Sequence, residues 1–345
     1  MTIGKSINIL DTNFTGSLAP QSSFLYAEEI DGTLTIDDVR VTNIPSSNFI
    51  MGMSSGSLDI TDSVFENIDS PLFLLSGVTT FIDETVFNKV SCQKTSNSFC
   101  LLKALSSDSI EIKDSSLTNI NSNVDLISLS DCTQVLLSDI TAQNMLKLNE
   151  ENLDQIFVLN ALNTKNLNIE QSDFSKIGFS GVKAKNTKII IQESTFSNSL
   201  QTTSGGRLLS QNDALSSAKL TQPIQFILLD SSNSILTKIS FIENSLNTLV
   251  DGGGIQILGS GGVHTVTDCI FENNQAFNGG ALSVKGQPSS VTIISSQFNN
   301  NQASGNGGAF MFSDQSIFLL KNGCLDSFLG VKNSLLTLSR WKILQ

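Results

Sequence analysis

Carboxylates at regular spacing are the groups in this chain that could most readily carry chemistry. An acidic residue occupies the same place in eight of twelve similar segments, and six of them follow one another without interruption: Asp11, Asp38, Asp62, Glu84, Asp114 and Asp139. If these residues stack, neighbouring carboxylates repel one another unless their pKa values rise, cations bind, or backbone amides hold them. Weak Ca²⁺ binding is one candidate. The alternative is that each side chain caps its own turn.

Other candidate catalytic groups are few. Asp37 and Asp38 with Arg40 nearby suit a hydrolase acid pair, but Asp37 aligns with a variable outward position and Asp38 belongs to the acidic column. His264 is the one imidazole, so any histidine-based mechanism would use it, yet its column is otherwise aliphatic. The G-x-S-x-G match at 52–56 leads into a strand pattern rather than a helix. We therefore predict no catalytic residue and no bound cofactor.

The five cysteines follow no zinc pattern. Cys92 and Cys100 flank a short loop and could pair, as a protein of an oxidising compartment would allow. Cys132 and Cys269 fall at turns, and Cys324 falls at a position that we expect in the core. Because no C-x-x-C spacing occurs, the sequence favours small buried thiols over a metal site.

Composition excludes several classes of protein. The 345 residues include 20 Lys+Arg against 32 Asp+Glu, a net charge of −12, which leaves no basic stripe for nucleic acid. No apolar run is long enough for a membrane-spanning helix. The start lacks the basic and apolar regions of a signal peptide. We expect either a piece of a longer chain or a protein of the cytosol.

A repeat accounts for the spacing of all these residues. An eleven-residue segment recurs at intervals of about 28 residues, a period typical of solenoids. Its central apolar residue, here called the anchor, is assigned to Phe14, Val41, Phe65, Phe87, Leu117, Ala142, Phe174, Phe196, Ile242, Phe271, Phe298 and Cys324. Apolar residues alternate before it, as in a half-buried strand.

Asparagine stands two places after the anchor in eight copies. These residues are Asn43, Asn67, Asn119, Asn144, Asn198, Asn244, Asn273 and Asn300. Asparagine tolerates the left-handed backbone of a sharp corner. We also expect these side chains to form an interior ladder, in which each amide bonds the next.

The repeat predicts an all-β fold, a right-handed parallel β-helix of about twelve coils. Successive coils would lie about 4.8 Å apart. We expect the β-helix to span 1–330 with a loop insertion at about 200–222, and 331–345 to form a tail or partial cap. Because no cap precedes the first strand, we expect a truncated solenoid or one that continues end to end with further coils.

Two of the C-terminal copies are more specific. FENN at 271–274 precedes GGAL at 279–282, and FNNN at 298–301 precedes GGAF at 307–310; GGRL at 205–208 and GGGI at 252–255 keep the glycines. The chain resembles pectin-lyase-like parallel β-helix proteins. The F-x-x-N and G-G-A-apolar pair resembles the repeats of polymorphic outer-membrane proteins, and that resemblance implies a cell-surface adhesin.

These observations favour a structural or adhesin-like segment of a larger cell-surface or secreted protein, without enzyme activity, that binds glycans or proteins. One alternative is an intracellular scaffold rod in the cytoplasm. The other is a pectin-lyase-like polysaccharide-active enzyme, which would need an acid cluster in a groove. No nucleic acid is expected as a partner.

Overall fold

A computed structural model shows a parallel β-helix, as the repeat predicts. It describes residues 6–16, 23–28, 32–45, 49–92, 99–147, 156–197, 201–203, 207–209, 226–244, 251–259, 261–285, 289–312, 317–326, 329–330 and 336–338. Each regular coil has a first strand, a sharp corner, a second strand, a loop and a third strand. First and second strands form a 23-stranded sheet, the large sheet, and third strands form a twelve-stranded sheet.

The large sheet contains two sets of parallel strands. The first strands are Ile7–Thr15, Thr33–Ile44, Ser57–Thr61, Thr79–Ile82, Ser109–Lys113, Gln134–Ser138, Asn166–Glu170, Lys188–Gln192, Asn233–Thr237, Val263–Thr267, Ser290–Ile294 and Ile317–Lys321, of which the initial two run on through their corners. The second strands are Val64–Ile68, Val86–Cys92, Ser116–Thr118, Asn121–Ser122, Thr141–Lys147, Asp173–Ile177, Thr195–Ser197, Ser240–Ile242, Ile270–Glu272, Gln297–Asn299 and Cys324–Asp326.

The twelve-stranded sheet closes the other side of the coils. Its strands are Ser23–Glu28, Phe49–Ser54, Phe73–Ser76, Phe99–Leu105, Asp125–Ser130, Phe157–Leu162, Ser180–Lys185, Ile227–Asp230, Ile255–Leu258, Leu282–Val284, Phe310–Phe312 and Leu336–Leu338. Gln275–Ala276, Gln302–Ala303 and Leu329–Gly330 form a three-stranded sheet. The pairings that we describe within these three sheets are all parallel. Each turn of the chain must therefore return to the same side of a sheet before the next strand of that sheet begins.

The corner between first and second strands takes two residues. The first has positive φ, between 43° and 54° at the six N-terminal acidic positions. The second is a buried hydroxyl in many coils: Ser63, Thr85, Ser115, Ser172, Ser194 and Ser296. Ser172 shows the bonding pattern, because its Oγ donates to the carbonyl of Glu170 and accepts the N–H of Ile140 at 3.2 Å. A hydroxyl ladder therefore joins neighbouring coils at this corner.

A stack of phenylalanine rings fills the interior behind the second strands. Phe174, Phe196, Phe241, Phe271 and Phe298 lie ring on ring with centroids 4.6–5.4 Å apart. Two of the predicted anchors are wrong by one residue. Phe241, not Ile242, pairs with Phe196 and Phe271, and Leu325, not Cys324, pairs with Phe298. Ile242 is half-buried and Cys324 is exposed.

Among the described residues of the predicted asparagine ladder, Asn244 lies in a buried ladder, and the others precede that ladder position by one residue; on the surface the Asn67 amide donates to Asn43 Oδ1 at 3.3 Å. Asn43, Asn67, Asn119, Asn144, Asn273 and Asn300 have φ between 52° and 58°, and Asn67 and Asn119 are exposed. Asn198 lies outside the described residues. The buried ladder consists of Asn244, Asn274 and Asn301: the Asn274 amide donates to the Asn301 Oδ1 at 2.9 Å and to the carbonyl of Phe241. Earlier coils carry apolar residues such as Ile68 and Val90 there instead.

Paired glycines let the backbones of these last coils approach closely. A Cβ on Gly280 would lie 2.2 Å from the carbonyl oxygen of Gly308. Gly279 has φ of 61°, and a Cβ there would lie 2.3 Å from the carbonyl oxygen of Leu282. Gly254 donates its N–H to Ala281 in the next coil, so GGGI at 252–255 takes the same place as the two GGA elements. With Phe241 and Asn244, it completes a third unit of the same construction.

Two expected boundaries change. In the insertion, Gln201–Thr203 pairs antiparallel with Arg207–Leu209, so Arg207 and Leu208 of the GGRL segment lie outside the parallel sheets of the β-helix. The next strand of the coil is Ile227–Asp230. At the other end, Leu336–Leu338 pairs with Phe310–Phe312 as the twelfth strand of its sheet. The β-helix therefore extends beyond residue 330, into the segment expected to be a tail.

The register of the asparagine ladder predicts unequal effects of two adjacent substitutions. Asn274→Ala should lower the free energy of unfolding by about 3 kcal/mol, because the buried N–H of Asn244 and carbonyl of Phe241 lose their partner. Asn273→Ala should cost about 1 kcal/mol, since it loses only a left-handed preference. Urea denaturation measures both values, and equal losses would contradict this register.

A matched glycine pair separates crowding from backbone conformation. Gly77 and Gly279 have φ of 63° and 61°, but a Cβ on Gly77 meets nothing within 4 Å. Gly77→Asn should therefore cost less than about 1 kcal/mol. Gly279→Asn should cost about 3 kcal/mol, because it forces apart two backbone segments. Thermal denaturation of both variants checks this, and similar losses would show that crowding at Gly279 is unimportant.

Candidate functional site

The acidic column lies along the outer side of the corners. Asp38, Asp62, Glu84, Asp114 and Asp139 are all exposed in the left-handed conformation. A hydrogen bond and the charge of Asp62 raise the pKa of Glu84, as expected for carboxylates in adjacent coils. Among the described residues, no three acidic, histidine or cysteine side chains converge as metal ligands would. Calcium binding here stays a prediction, tested by whether added Ca²⁺ raises the Tm.

The Asp37, Asp38 and Arg40 group does not assemble as an acid pair with a basic partner. Thr61 Oγ1 donates to Asp37 Oδ1 at 2.7 Å in the adjacent coil. Arg40 instead forms an ion pair with Glu66, at 2.8 Å, and lowers the pKa of that glutamate. Burial and then the charge of Asp37 raise the pKa of Asp59, which lies on the same outer face. The chain thus uses these groups to join coils.

His264 lies inside the β-helix. It is 1% exposed, its Nδ1 lies 3.0 Å from Ser234 Oγ, and its Nε2 has no partner. Ser234, not Ile235, is its neighbour in the column, because the anchor of that coil is Phe241. Burial lowers the pKa of His264 to about 4. The imidazole is therefore neutral at physiological pH and has no route to an external substrate.

The cysteines divide into one disulfide and three thiols. Cys92 and Cys100 are bonded and buried, joining the large sheet to the twelve-stranded sheet. Cys132 and Cys269 are buried, and burial raises the pKa of Cys269 to about 11. Both contribute a thiol where other coils place a hydroxyl. Cys324 is an exposed thiol.

A groove on the outer face of the twelve-stranded sheet is a candidate binding site. Its cavity volume is about 260 Å³, and Ser128, Leu129, Ser130, Asn160, Leu162, Lys183 and Lys185 line it. One outer row runs across neighbouring coils as Lys103, Ser128, Asn160 and Lys183. The second row runs through Ser130, Leu162 and Lys185 to Asp230.

Asp125 holds Asn160, one of the lining residues, in position. Its Oδ1 accepts the N–H of Phe157 at 2.8 Å, and its Oδ2 accepts the Asn160 amide at 2.7 Å. Burial raises the pKa of Asp125 above its usual range. Lys183 Nζ lies 5.3 Å from the centroid of the Phe157 ring, within cation–π distance. The groove thus has polar side chains in fixed positions.

The repeat pattern of the sequence does not reveal this groove. A usable signal was present, because three lysines occur within 183–188 in an otherwise acidic chain and two of them alternate on a strand. The other lining residues come from strands far apart in sequence. Only the register between coils shows that they are neighbours.

The buried histidine predicts a pH dependence of stability. The pKa of His264 is lower in the folded than in the unfolded chain, so its contribution is complete above about pH 6.5 and falls as the pH decreases towards 4. That loss should reach about 3 kcal/mol. In the double variant Ser234→Val/His264→Val, urea denaturation should show a pH dependence smaller by this amount. An unchanged profile would mean that His264 is already protonated or exposed.

Comparison with known proteins identifies the repeats of the C-terminal coils. The Chlamydia polymorphic membrane protein repeat matches residues 268–285 and 295–313. These segments contain Phe271 with Asn274 and Phe298 with Asn301, and they extend through the paired glycines. No curated protein matches the chain. In the part of the chain that the structure describes, no helix could span a membrane.

Solved structures with related coils are distant in sequence. The A-module of the mannuronan C-5 epimerase AlgE4 of Azotobacter vinelandii is 8% identical with a TM-score of 0.36, over 99% of this chain and 91% of that one. The catalytic domain of a GH87 α-1,3-glucanase in complex with nigerose is 10% identical with a TM-score of 0.37. The match covers 99% of this chain and 64% of the glucanase chain.

These matches correct the prediction that the chain is not an enzyme. An epimerase and a glucanase are among the similar structures, so a β-helix of this kind does not exclude catalysis. At these identities the likeness concerns the fold alone and assigns no reaction to this chain. The chain is a parallel β-helix protein in which two C-terminal coils match the Chlamydia polymorphic membrane protein repeat.

Proposed function

We propose that this chain is part of a cell-surface or secreted adhesin-like protein that binds glycans or proteins through its outer faces. The observation that carries the proposal is the match of two coils to the Chlamydia polymorphic membrane protein repeat. Those coils continue the ring stack and strand register of the rest of the β-helix without a break. The whole β-helix would therefore present one continuous surface.

The disulfide supports exposure to an oxidising compartment. Cys92 and Cys100 are bonded across the ends of two strands that belong to different sheets. Disulfides of this kind persist outside the cytosol, where glutathione and thioredoxin keep thiols reduced. In a rod inside the cytoplasm, the same two cysteines would be kept as thiols.

Redox state in the native compartment is the first test. Protein isolated from its source and alkylated in denaturant without a reductant should carry no label on Cys92 or Cys100, as intact mass and peptide mapping would show. Cys324, which is exposed, is the internal control that must be labelled. Quantitative labelling of Cys92 and Cys100 would contradict the surface assignment and favour the intracellular scaffold.

Binding and turnover are tested together. The purified chain should bind members of a glycan or protein array, and the same wells are assayed for new reducing ends and unsaturated sugars. Turnover would overturn the adhesin-like assignment in favour of a carbohydrate-active enzyme. Absence of binding to every array member would remove the support for a recognition role.

A further inference from the structure

We propose that two copies of this chain associate through an uncharged part of the outer face of the large sheet. This part, here called the neutral face, consists of the outward residues of Asn233–Thr237, Val263–Thr267 and Ser290–Ile294. All of them are isoleucine, valine, threonine, serine or asparagine. Ile235 is 44% exposed and Val263 is 59% exposed, and neighbouring apolar side chains at a surface are typical of an interaction site. Self-association of this kind goes beyond the proposed recognition function.

The charge of the chain restricts where two copies can meet. Its net charge is −12, so two copies repel each other unless their contact surfaces avoid like charges. In the N-terminal coils, the outward residues of the same sheet include Asp37, Asp59 and Glu111. The neutral face carries no such group, which favours it as the contact between two acidic chains.

A two-fold axis relates the two copies. It runs parallel to the strands, between Asn233–Thr237 and Val263–Thr267, so that the β-helix axes are antiparallel while the strands stay aligned, as in face-to-face packing of sheets. Each strand then lies opposite one strand of the other copy. The facing pairs are Asn233–Thr237 with Val263–Thr267, Lys188–Gln192 with Ser290–Ile294, and Asn166–Glu170 with Ile317–Lys321.

This arrangement places bulky side chains opposite smaller ones. Ile235 faces Thr265 of the other copy, and Ile190 faces Thr292, because all four occupy the middle position of their strands. With the helix axes parallel, Ile235 would instead face Ile235 of the other copy. Close packing at an interface requires that the two surfaces interdigitate, and this favours the antiparallel arrangement.

Opposite charges meet at the margin of the same arrangement. Lys321 faces Glu170 of the other copy, since both residues end their strands. Lys238, which pairs with Glu193 in its own chain, comes opposite Asp268 at the corners after the strands. By symmetry each pair occurs twice. Charge complementarity at the margin therefore fixes the register of the two copies.

The size of the contact indicates a weak dimer. Six strands at about 4.8 Å spacing, with five residues of about 3.3 Å in each, cover roughly 29 Å by 17 Å, or about 500 Å² on each copy. Both copies together bury about 1,000 Å², near the lower limit for a specific interface. We therefore expect a dissociation constant between about 1 μM and 1 mM.

Other occupants fit the neutral face less well. A peptide that extends a sheet needs an unpaired strand edge, whereas Val263–Thr267 is paired on one side with Asn233–Thr237 and on the other with Ser290–Ile294. A membrane interface favours tryptophan and tyrosine beside the apolar residues, and the neutral face has neither. The acidic chain is also repelled by anionic lipids.

Sedimentation equilibrium of the full chain tests the dimer at concentrations from about 1 μM to 1 mM. Reversible exchange between monomer and dimer is expected, because a two-fold contact closes on itself. The Cys324→Ser variant should give the same dissociation constant, which excludes a disulfide between the exposed thiols of two copies.

A chain that stays monomeric at all these concentrations would overturn the proposal, and so would open-ended assemblies. Cosedimentation of the monomer with phosphatidylcholine vesicles would then identify a lipid surface as the occupant instead.

Two matched lysine substitutions locate the contact. Ile235→Lys should raise the dissociation constant about tenfold or more, because it places a charge opposite Thr265 in both halves of the dimer. Leu162→Lys is the control, since Leu162 is 38% exposed on the twelve-stranded sheet, and it should change the constant less than about twofold. Both side chains point outward, so both variants should keep the Tm of the unmodified chain. Dimerisation that Ile235→Lys leaves unchanged would show that the neutral face is not the contact.

Exchange of the marginal charges tests the antiparallel arrangement. Lys321→Glu or Glu170→Lys alone should weaken the dimer about fivefold, because each reversal affects two symmetric pairs. An equimolar mixture of the two single variants should recover the unmodified affinity within about twofold, since every lysine of these pairs then faces a carboxylate again. A mixture no stronger than either variant alone would contradict the antiparallel register.

Discussion

Every coil of this protein must pair its backbone with the coils on both sides, and this constraint governs the rest of the structure. Where two strands are joined by a tight corner, both stay in register with the neighbouring coils only if that corner has the same number of residues in each coil. The corner after the first strand achieves this with one left-handed residue followed by one buried small polar residue. Asp62–Ser63 and Gln171–Ser172 are two examples. The buried hydroxyl donates to a carbonyl of its own corner and accepts an N–H of the adjacent coil, so it pairs two backbone groups that are buried there.

Acidic residues at these corners have a local explanation. Aspartate and asparagine enter the left-handed region at lower cost than branched residues do, and their side chains point to solvent there. Stacking then brings like charges together, and the raised pKa of Glu84 beside Asp62 records the repulsion. The interior is filled in two ways. N-terminal coils carry Ile and Val behind the second strand, whereas the last coils use Asn244, Asn274 and Asn301 with paired glycines.

The sequence period is enough to predict the fold and the corner column, because both depend on residues that recur in every coil. The asparagine register is harder to predict. Asn273 and Asn274 are adjacent and chemically identical, yet one holds a left-handed corner and the other lies in the buried ladder. Polarity alone cannot separate them; the ring stack does, since it fixes Phe241 rather than Ile242 as the anchor. The groove was missed because its outward residues follow no repeat, and only alignment of the coils makes Lys103, Asn160 and Lys183 neighbours.

The contrast between inward positions, which recur in every coil, and outward positions, which follow no repeat, explains where recognition can arise in such a protein. Inward positions are constrained by stacking, since the Phe271 ring has a ring directly on each side and a substitution there disturbs both adjacent coils. Side chains at outward positions on the sheets face solvent, and the parallel backbone pairing beneath them does not depend on which side chain is present. A change from Ser128 to Asn160 to Lys183 along one row therefore alters surface chemistry without altering the coil. Binding sites in this β-helix are thus assembled from several coils, each of which contributes one or two side chains to a surface that the backbone holds rigid.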